Sequence, residues 1–446
     1  MENKLSGVPS KALSKAELIQ APRGTKDLLP EEAAKWRSVE RAIDDVAQLF
    51  GYGEIRTPAF EQMRLFKRAV GEETDIVAKE MFLLQSRNEE EDYALRPELT
   101  APVVRAAIEH GMLTGQSDCV RLYYNRAANF RHEKPQKGRF RQFHQFGTEL
   151  LGPSSPLADA ETISFAIAIY KRLGLSNFRV RLNSLASPEA RENWKKILVT
   201  YLRENLAKLS DESKRRTETN PMRVLDSKDE RDSEVIHRAP LLTDYLSSDD
   251  REHFASLQEL LRGSGIEFHL DPLLVRGLDY YSRTVFEMTS ADLGAQDALC
   301  GGGRYDGLVS QLGGPATPAI GFGAGFERLM IALETPRMQQ GTVPSGVTYV
   351  IGLDRTEANA FHLSPILRKA YETVHALRSA GLSAQMDLHG RSMKAQMREA
   401  NKLGAKFTYI IGETELAEHA GMLKDMQSGE QKKISFTEIE SAIRNF

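Results

Sequence analysis

The chain has 446 residues, 41% hydrophobic and 27% charged, ordinary globular values that at about 150 residues per domain predict two or three domains. Its 59 Lys and Arg against 62 Asp and Glu leave a net charge of −3, which excludes a uniformly positive coat, so any nucleic-acid partner has to meet a local basic patch. Only Cys119 and Cys300 are present and no run of apolar residues reaches membrane-spanning length, which excludes a disulfide framework, a cysteine-rich zinc site and a transmembrane helix.

The first stretch, MENKLSGVPSKALSKAELIQ, lacks the apolar core of a signal peptide and the Arg-rich, acid-poor character of a transit peptide. It reads as a flexible leader over 1–20, and a cytoplasmic location is expected. Farther on, CVRLYYNRAANFRHE and RQFHQFGTELLG read as neighbouring strands joined by the cationic KPQKGR. With a strand period of two, Arg131 and Glu133 point one way from the first, while Phe143, Gln145, Gly147 and Glu149 share a face of the second. An arginine fork suits a phosphate, an aromatic plane suits a purine, and Gln145 with Glu149 suits a ligand amine or imidazole. A solvated hairpin with a charged tip fits the same letters.

From Ser187 to about Gly265 the pattern is charged and mostly helical, with DESKRRTETN read as an exposed loop. This predicts a helical insertion over 187–265. LLVRGLDYYSRTVFEMTS then places Arg276 in a loop before a strand, with Tyr280 and Tyr281 behind it. A surface arginine beside an interior tyrosine pair is the plain alternative. AIGFGAGFERLMIAL spaces its glycines G-x-G-x-G, which is not the dinucleotide-binding G-x-G-x-x-G. Small residues there let a ligand approach the backbone, and Arg328 sits in the first turn of the following helix, where an anionic phosphate is favoured.

The Pro- and Gly-containing LETPRMQQGTVPSG marks a domain boundary, and beyond it VTYVIGL, SAQMDL and FTYIIG alternate with helical runs. That order predicts a small α/β unit over 346–446 with a largely parallel sheet. The closely spaced strands before the boundary predict antiparallel pairing over 21–335.

Taken in order, these stretches resemble a class II aminoacyl-tRNA synthetase of the histidyl-tRNA synthetase family. FGYGEIRTPAFE, FRHEKPQKGRFRQFHQFGTE and GFGAGFERLMIAL are similar to the three class II motifs, and VRGLDYYSRTVFE with GGRYDGLVSQLGG to the histidine-specific ones. RGTKDLLPEE, LRPELTAPVVR, NPMRVLDSK, GRSMKAQMREANKLGA and GMLKDM extend the likeness over nearly the whole chain. It implies an α+β fold: an antiparallel-sheet catalytic core with a helical insertion, and a C-terminal α/β anticodon-binding domain. The implied activity is ATP-dependent activation of L-histidine and its transfer to tRNA(His), with Mg2+ accompanying ATP and no resident metal.

The resemblance further implies that Arg131 and Arg276 oppose each other across the α-phosphate. Glu98, Thr100, Gln145, Glu149, Tyr280 and Tyr281 would bind histidine together with Arg131 and Arg276. Glu133, Phe143 and Arg328 would bind ATP with Arg131. The loop holding Gln136 and Arg139 would meet the tRNA acceptor end, with Gln136 at the additional 5′ guanosine, and Pro58 would lie in a homodimer seam. Leu99 departs from the glycine that many bacterial members carry. A non-catalytic regulatory paralogue partnering ATP phosphoribosyltransferase shares this core and is the rival reading.

Overall fold

The structure is a computed structural model that describes residues 19–71, 74, 76–85, 92–114, 119–134, 138–278, 280–293, 297–333, 346–353 and 363–445. Gln136, residues 1–18 of the leader and most of the domain-boundary stretch lie outside them.

Helix α1 (Pro30–Phe50) begins with proline in its first turn followed by Glu31 and Glu32, and buries the stripe Trp36, Val39, Ile43, Val46 and Phe50. Proline preset for helix and acids at the positive end favour the start. It stops at Gly51, whose φ of 72° is the left-handed conformation in which glycine carries no Cβ penalty. There follow β1 (Gly53–Glu54), β2 (Phe60–Gln62), α2 (Met63–Val70), β3 (Leu83–Leu84), β4 (Tyr93–Leu95), α3 (Thr100–Glu109), β5 (Val120–Phe130), β6 (Gln142–Leu151), α4 (Pro156–Arg172) and β7 (Arg179–Ser184).

Helices then dominate: α5 (Pro188–Glu204), α6 (Asp211–Thr219), α7 (Ser233–His237) and α8 (Ser248–Gly263) follow with short 3-10 turns between them. The strand-rich pattern returns with β8 (His269–Leu270), β9 (Ser282–Thr289), β10 (Ala298–Arg304), α9 (Leu308–Gln311), β11 (Ala319–Gly325) and α10 (Phe326–Ala332). The last stretch is β12 (Thr348–Gly352), α11 (Pro365–Ser379), β13 (Ala384–Met386), α12 (Met393–Lys402), β14 (Phe407–Ile411), α13 (Glu413–Ala417), β15 (Ala420–Asp425), β16 (Gln431–Ser435) and α14 (Ile439–Asn445).

Eight strands form the main sheet in the order β1-β5-β6-β11-β10-β9-β7-β8. Its interior pairs are antiparallel, as the close strand spacing predicts, while β1 on β5 and β7 on β8 are parallel at the two edges. The fold is therefore α+β with a mixed sheet. A second sheet, β13-β12-β14-β15-β16, carries the anticipated β-α-β-α-β order. Its first two pairings are parallel, but β15 and β16 add an antiparallel hairpin that the sequence reading lacks.

The segment DESKRRTETN is helix α6, not a loop. Ser210 caps it by accepting from the Ser213 N–H, Asp211 and Glu212 occupy the first turn, and Glu212 pairs with Arg215 and with Arg216 one turn on. Capping and neighbouring charges on one face supply what the absent apolar stripe does not. The first strand of the basic hairpin also ends earlier than FRHE requires, at Phe130. Arg131 adds one more rung through its N–H to the Arg141 carbonyl at 2.9 Å, and Glu133 lies beyond the ladder.

The two sheets share one apolar cluster: Phe50, Ile163 and Phe322 of the first unit belong to it together with Val350, Tyr371 and Leu423 of the second. Glu161 of α4, fully buried, binds Arg121 of β5 at 3.0 Å and Arg378 of α11 at 3.3 Å. The C-terminal unit is thus packed onto helices α1, α4 and α8, which cover the back of the main sheet, and the opposite face is left for the site.

Candidate active site

One cross-strand row of the main sheet reads Tyr124, Gly147, Gly323, Gly301, Glu287, Arg181. Three adjacent glycines leave its centre without side chains, and over two of them, Gly323 and Gly301, lies a cavity of about 940 Å³. Gly147 has no room for a side chain, because a Cβ there would stand 2.0 Å from the Phe322 carbonyl oxygen, whereas at Gly323 the nearest contact would be 3.4 Å. A Cβ on Gly301 would come within 2.0 Å of Arg276 Nη2, and one on Gly321 within 2.0 Å of Glu149 Oε2.

Glu98, Thr100, Arg131, Glu133, Arg139, Phe143, Gln145, Arg276, Tyr280, Tyr281 and Arg328 all line this cavity, though they come from segments far apart in the chain. On the β5–β6 side, Arg131 lies over the Phe143 ring at 5.2 Å and donates through Nε to the Pro97 carbonyl at 2.9 Å. Aromatic stacking of a guanidinium leaves its fork available for an anion. Arg139 pairs with Glu133 at 3.2 Å, and Gln145 accepts from Asn129 at 2.5 Å. On the opposite side, Arg276 spreads over Gly301 and donates to Glu287 at 2.8 Å.

The wall between them begins at α3. Glu98 accepts from the backbone N–H groups of Thr100 at 2.7 Å and Ala101 at 3.0 Å, satisfying two donors of the first turn. Leu99 has φ −115°, a conformation open to any L-residue, so its departure from glycine costs no backbone strain. Tyr280 and Tyr281 stand 4.7 Å apart between ring centres, with Tyr305 5.6 Å from Tyr280.

Glu149 is placed one layer lower. It is fully buried, accepts from the Thr100 hydroxyl at 2.8 Å and takes a second, short hydrogen bond from the Tyr305 hydroxyl. Burial pushes its carboxyl up to about 8, opposed by the bonds from Tyr305 and Thr100 and reinforced by Glu98. At the far end, Glu327 at the start of α10 accepts from His144 N–H at 2.9 Å and lies 2.9 Å from its ring Nδ1. That contact ties the strand bearing Phe143 to the helix bearing Arg328. Burial lowers the Arg328 pKa, as do its neighbours Arg139 and Arg131; a phosphate would offset this crowding of like charge.

Pro58 stands outside the cavity, between β1 and β2, where its carbonyl accepts from Arg96 at 3.0 Å. Among the groups the sequence reading did not single out are Glu287, Arg181, Tyr124 and the insertion residues Arg216 and Arg223, all of which line the cavity. Glu287 was detectable in principle as a lone carboxylate between the buried Phe286 and Met288 of strand β9. Nothing in the helical spacing of the insertion announces that α6 faces a pocket.

The site can hold a polyanion between arginines, a flat ring on Phe143 and a small polar molecule against a tyrosine and carboxylate wall. A family model described as Histidyl-tRNA synthetase matches residues 24–329, and one described as Anticodon binding domain matches 349–446. The Histidine--tRNA ligase of Caldanaerobacter subterraneus subsp. tengcongensis is 46% identical over 428 residues, 96% of this chain and 100% of that protein. The Histidine--tRNA ligase of Chloroherpeton thalassium is 47% identical over 423 residues, 94% of this chain and 96% of its own length. Among solved structures, apo S. aureus histidyl-tRNA synthetase superposes with a TM-score of 0.59 at 34% identity, covering 95% of this chain and 99% of that one. On the strength of the family match and of relatives aligned along almost their full length, the chain belongs to the histidyl-tRNA synthetase family.

Proposed function

We propose that the chain is a histidine–tRNA ligase, joining L-histidine to tRNA(His) at the expense of ATP. The observation that carries this is the pair of arginines flanking the glycine floor: Arg131 stacked on Phe143 on one side, Arg276 resting on Gly301 on the other. A histidine carboxylate oxygen attacks the α-phosphorus, the bond to the β-phosphate oxygen breaks, and pyrophosphate leaves. Charge grows on the equatorial phosphate oxygens, and two cations fixed beforehand in a partly desolvated cavity stabilise it without reorganising. A ribose hydroxyl of the tRNA terminus then attacks the acyl carbon and AMP departs.

In this reading Phe143 stacks the adenine beside Glu133, Arg328 meets the ATP phosphates, and Mg2+ enters with ATP. Glu98, Thr100, Gln145, Tyr280 and Tyr281 surround histidine, and Glu149 acts from below through Thr100 and Tyr305. A site that hydrogen-bonds the imidazole leaves polar groups unpaired when a wrong side chain enters, which can reject it by roughly 10⁴-fold. Arg139 and the neighbouring loop would guide the acceptor end. The C-terminal unit would hold the anticodon stem, supported by Lys394, Arg398 and Lys402, exposed at helical spacing along α12. Residues 21–335 and 346–446 serve as the catalytic and anticodon-binding domains, with 187–265 as the insertion.

The working form is a cytoplasmic homodimer. Phe60 on β2 and Leu84 on β3 share one face of the small sheet β2-β4-β3 and are 51% and 38% exposed, an apolar surface that a second copy would cover. Sedimentation at micromolar concentration should give twice the chain mass; a single chain mass would refute the dimer. Charging of a tRNA(His) transcript with labelled histidine tests the whole reaction. If no acid-precipitable, alkali-labile histidyl-tRNA forms, the assignment is wrong.

A further inference from the structure

Arg276 comes from an irregular loop, yet its guanidinium lies flat on the sheet, and two features hold it there. The floor beneath is Gly301, where a Cβ would stand 2.0 Å from Nη2. Beside it, Glu287 of β9 accepts from Nη1 at 2.8 Å. Arg276 Nε is buried without a partner among the described residues, so the anchored side chain keeps a donor unused by protein.

Glu287 does not give its whole charge to Arg276. Its other oxygen accepts from Arg181 Nη1 at 2.8 Å, and Arg181 also binds Asp271, through Nε at 2.8 Å. Four side chains thus alternate in sign: Arg276, Glu287, Arg181, Asp271. Arg181 and Glu287 are directly opposite across β7 and β9, and Glu287 is opposite Gly301 across β9 and β10. The order follows from strand register and is not a chance meeting of long side chains. Asp271 holds Arg181, Arg181 holds one oxygen of Glu287, and the other oxygen is thereby fixed to hold Arg276 in place.

We infer that Glu287 is a positioning residue for Arg276, with Arg181 its brace: the carboxylate aims the guanidinium across the glycine floor and Arg181 holds the carboxylate. The inference rests on the proposed ligase reading, in which Arg276 meets the α-phosphate. Although Glu287 lines the cavity, in this inference it acts through Arg276 and not by contact with histidine or ATP. Its loss should therefore appear in the chemical step and only through Arg276.

The test is histidine-dependent ATP–pyrophosphate exchange with the full chain. Glu287→Gln, isosteric but uncharged, should lower kcat by roughly 10-fold to 10²-fold while KM for histidine and for ATP stays within about 3-fold, the pattern of a contact that matters chiefly in the transition state. Arg181→Gln should lower kcat by about 3-fold to 10-fold, and it carries the same test if thermal melting shows Glu287→Gln to be poorly folded. Arg276→Gln alone should cost roughly 10²-fold or more, and adding either substitution to it should cost nothing further, because residues acting as one unit are not additive. Unchanged kcat in both single variants would overturn the inference. Losses that multiply in the Arg276→Gln background would also overturn it, by giving Glu287 a role of its own. Absence of exchange in the unsubstituted chain is a separate failure, that of the ligase reading.

Discussion

The Thr100 hydroxyl donates to Glu149 Oε1 at 2.8 Å, joining the first turn of α3 to the middle of β6 beneath the cavity floor. With Tyr305 on its other oxygen and Gly321 beside it, the carboxylate is closed off from water. It supports the histidine wall at the cost of an awkward charge.

That cost predicts a pH dependence of stability. Burial raises the Glu149 carboxyl from 4.5 to about 8, and burial raises Glu98 in the same direction. A carboxyl raised on folding keeps its proton in the native state while the unfolded chain releases it, so stability falls as pH climbs from the unfolded value to the folded one and levels off above it. Without ligands the protein should lose roughly 3–5 kcal/mol from Glu149 across that window. Glu149→Gln should flatten the slope in urea titrations between about pH 5 and pH 9. An unaltered slope would place the titration on another group.

Parts of this site could be read directly from the letters. Phe143 and Gln145 face the cavity because β6 runs unbroken through them, so a two-residue period holds. Arg131 follows suit because the bulge between Tyr124 and Ala127, where Arg126 takes φ 58°, lies before the residues whose parity was counted. Depth was not legible: Glu149 has the parity of Gln145, but Thr100 and Tyr305, from distant segments, cover it. Helix α6 escaped because capping and ion pairs hold it in place of an apolar stripe. The hairpin partner β16 escaped because Gln431, Lys432 and Lys433 are polar and exposed, giving no alternation to detect.

Arg304 provides a stability test independent of ligands. It is fully buried, donates to the Pro153 carbonyl at 2.6 Å, and is paired with Asp159, which also binds His253 at 2.8 Å. Arg304→Met leaves Asp159 with His253 as its remaining partner in this cluster and strands the carbonyl, so unfolding free energy should drop by about 3–5 kcal/mol. Urea denaturation monitored by far-UV circular dichroism measures it. A change under about 1 kcal/mol would mean the cluster relaxes without loss.

The exposed basic stripe of α12 should act on tRNA and not on adenylate formation. Lys394→Glu with Lys402→Glu should raise KM for tRNA(His) and make the salt dependence of charging shallower by about one logarithmic unit for each phosphate contact removed. Exchange kinetics should barely move. Equal damage to both reactions would point instead to disruption of the packing of α11 on α4 and α8.

Central to the account is that a cavity floored by Gly323 and Gly301 and flanked by Arg131 and Arg276 activates histidine with ATP. The most direct measurement is ATP–pyrophosphate exchange by the full chain with each amino acid in turn. The account predicts exchange with histidine that exceeds every other amino acid by roughly 10⁴-fold. Exchange with a different amino acid, or none with any, would contradict it.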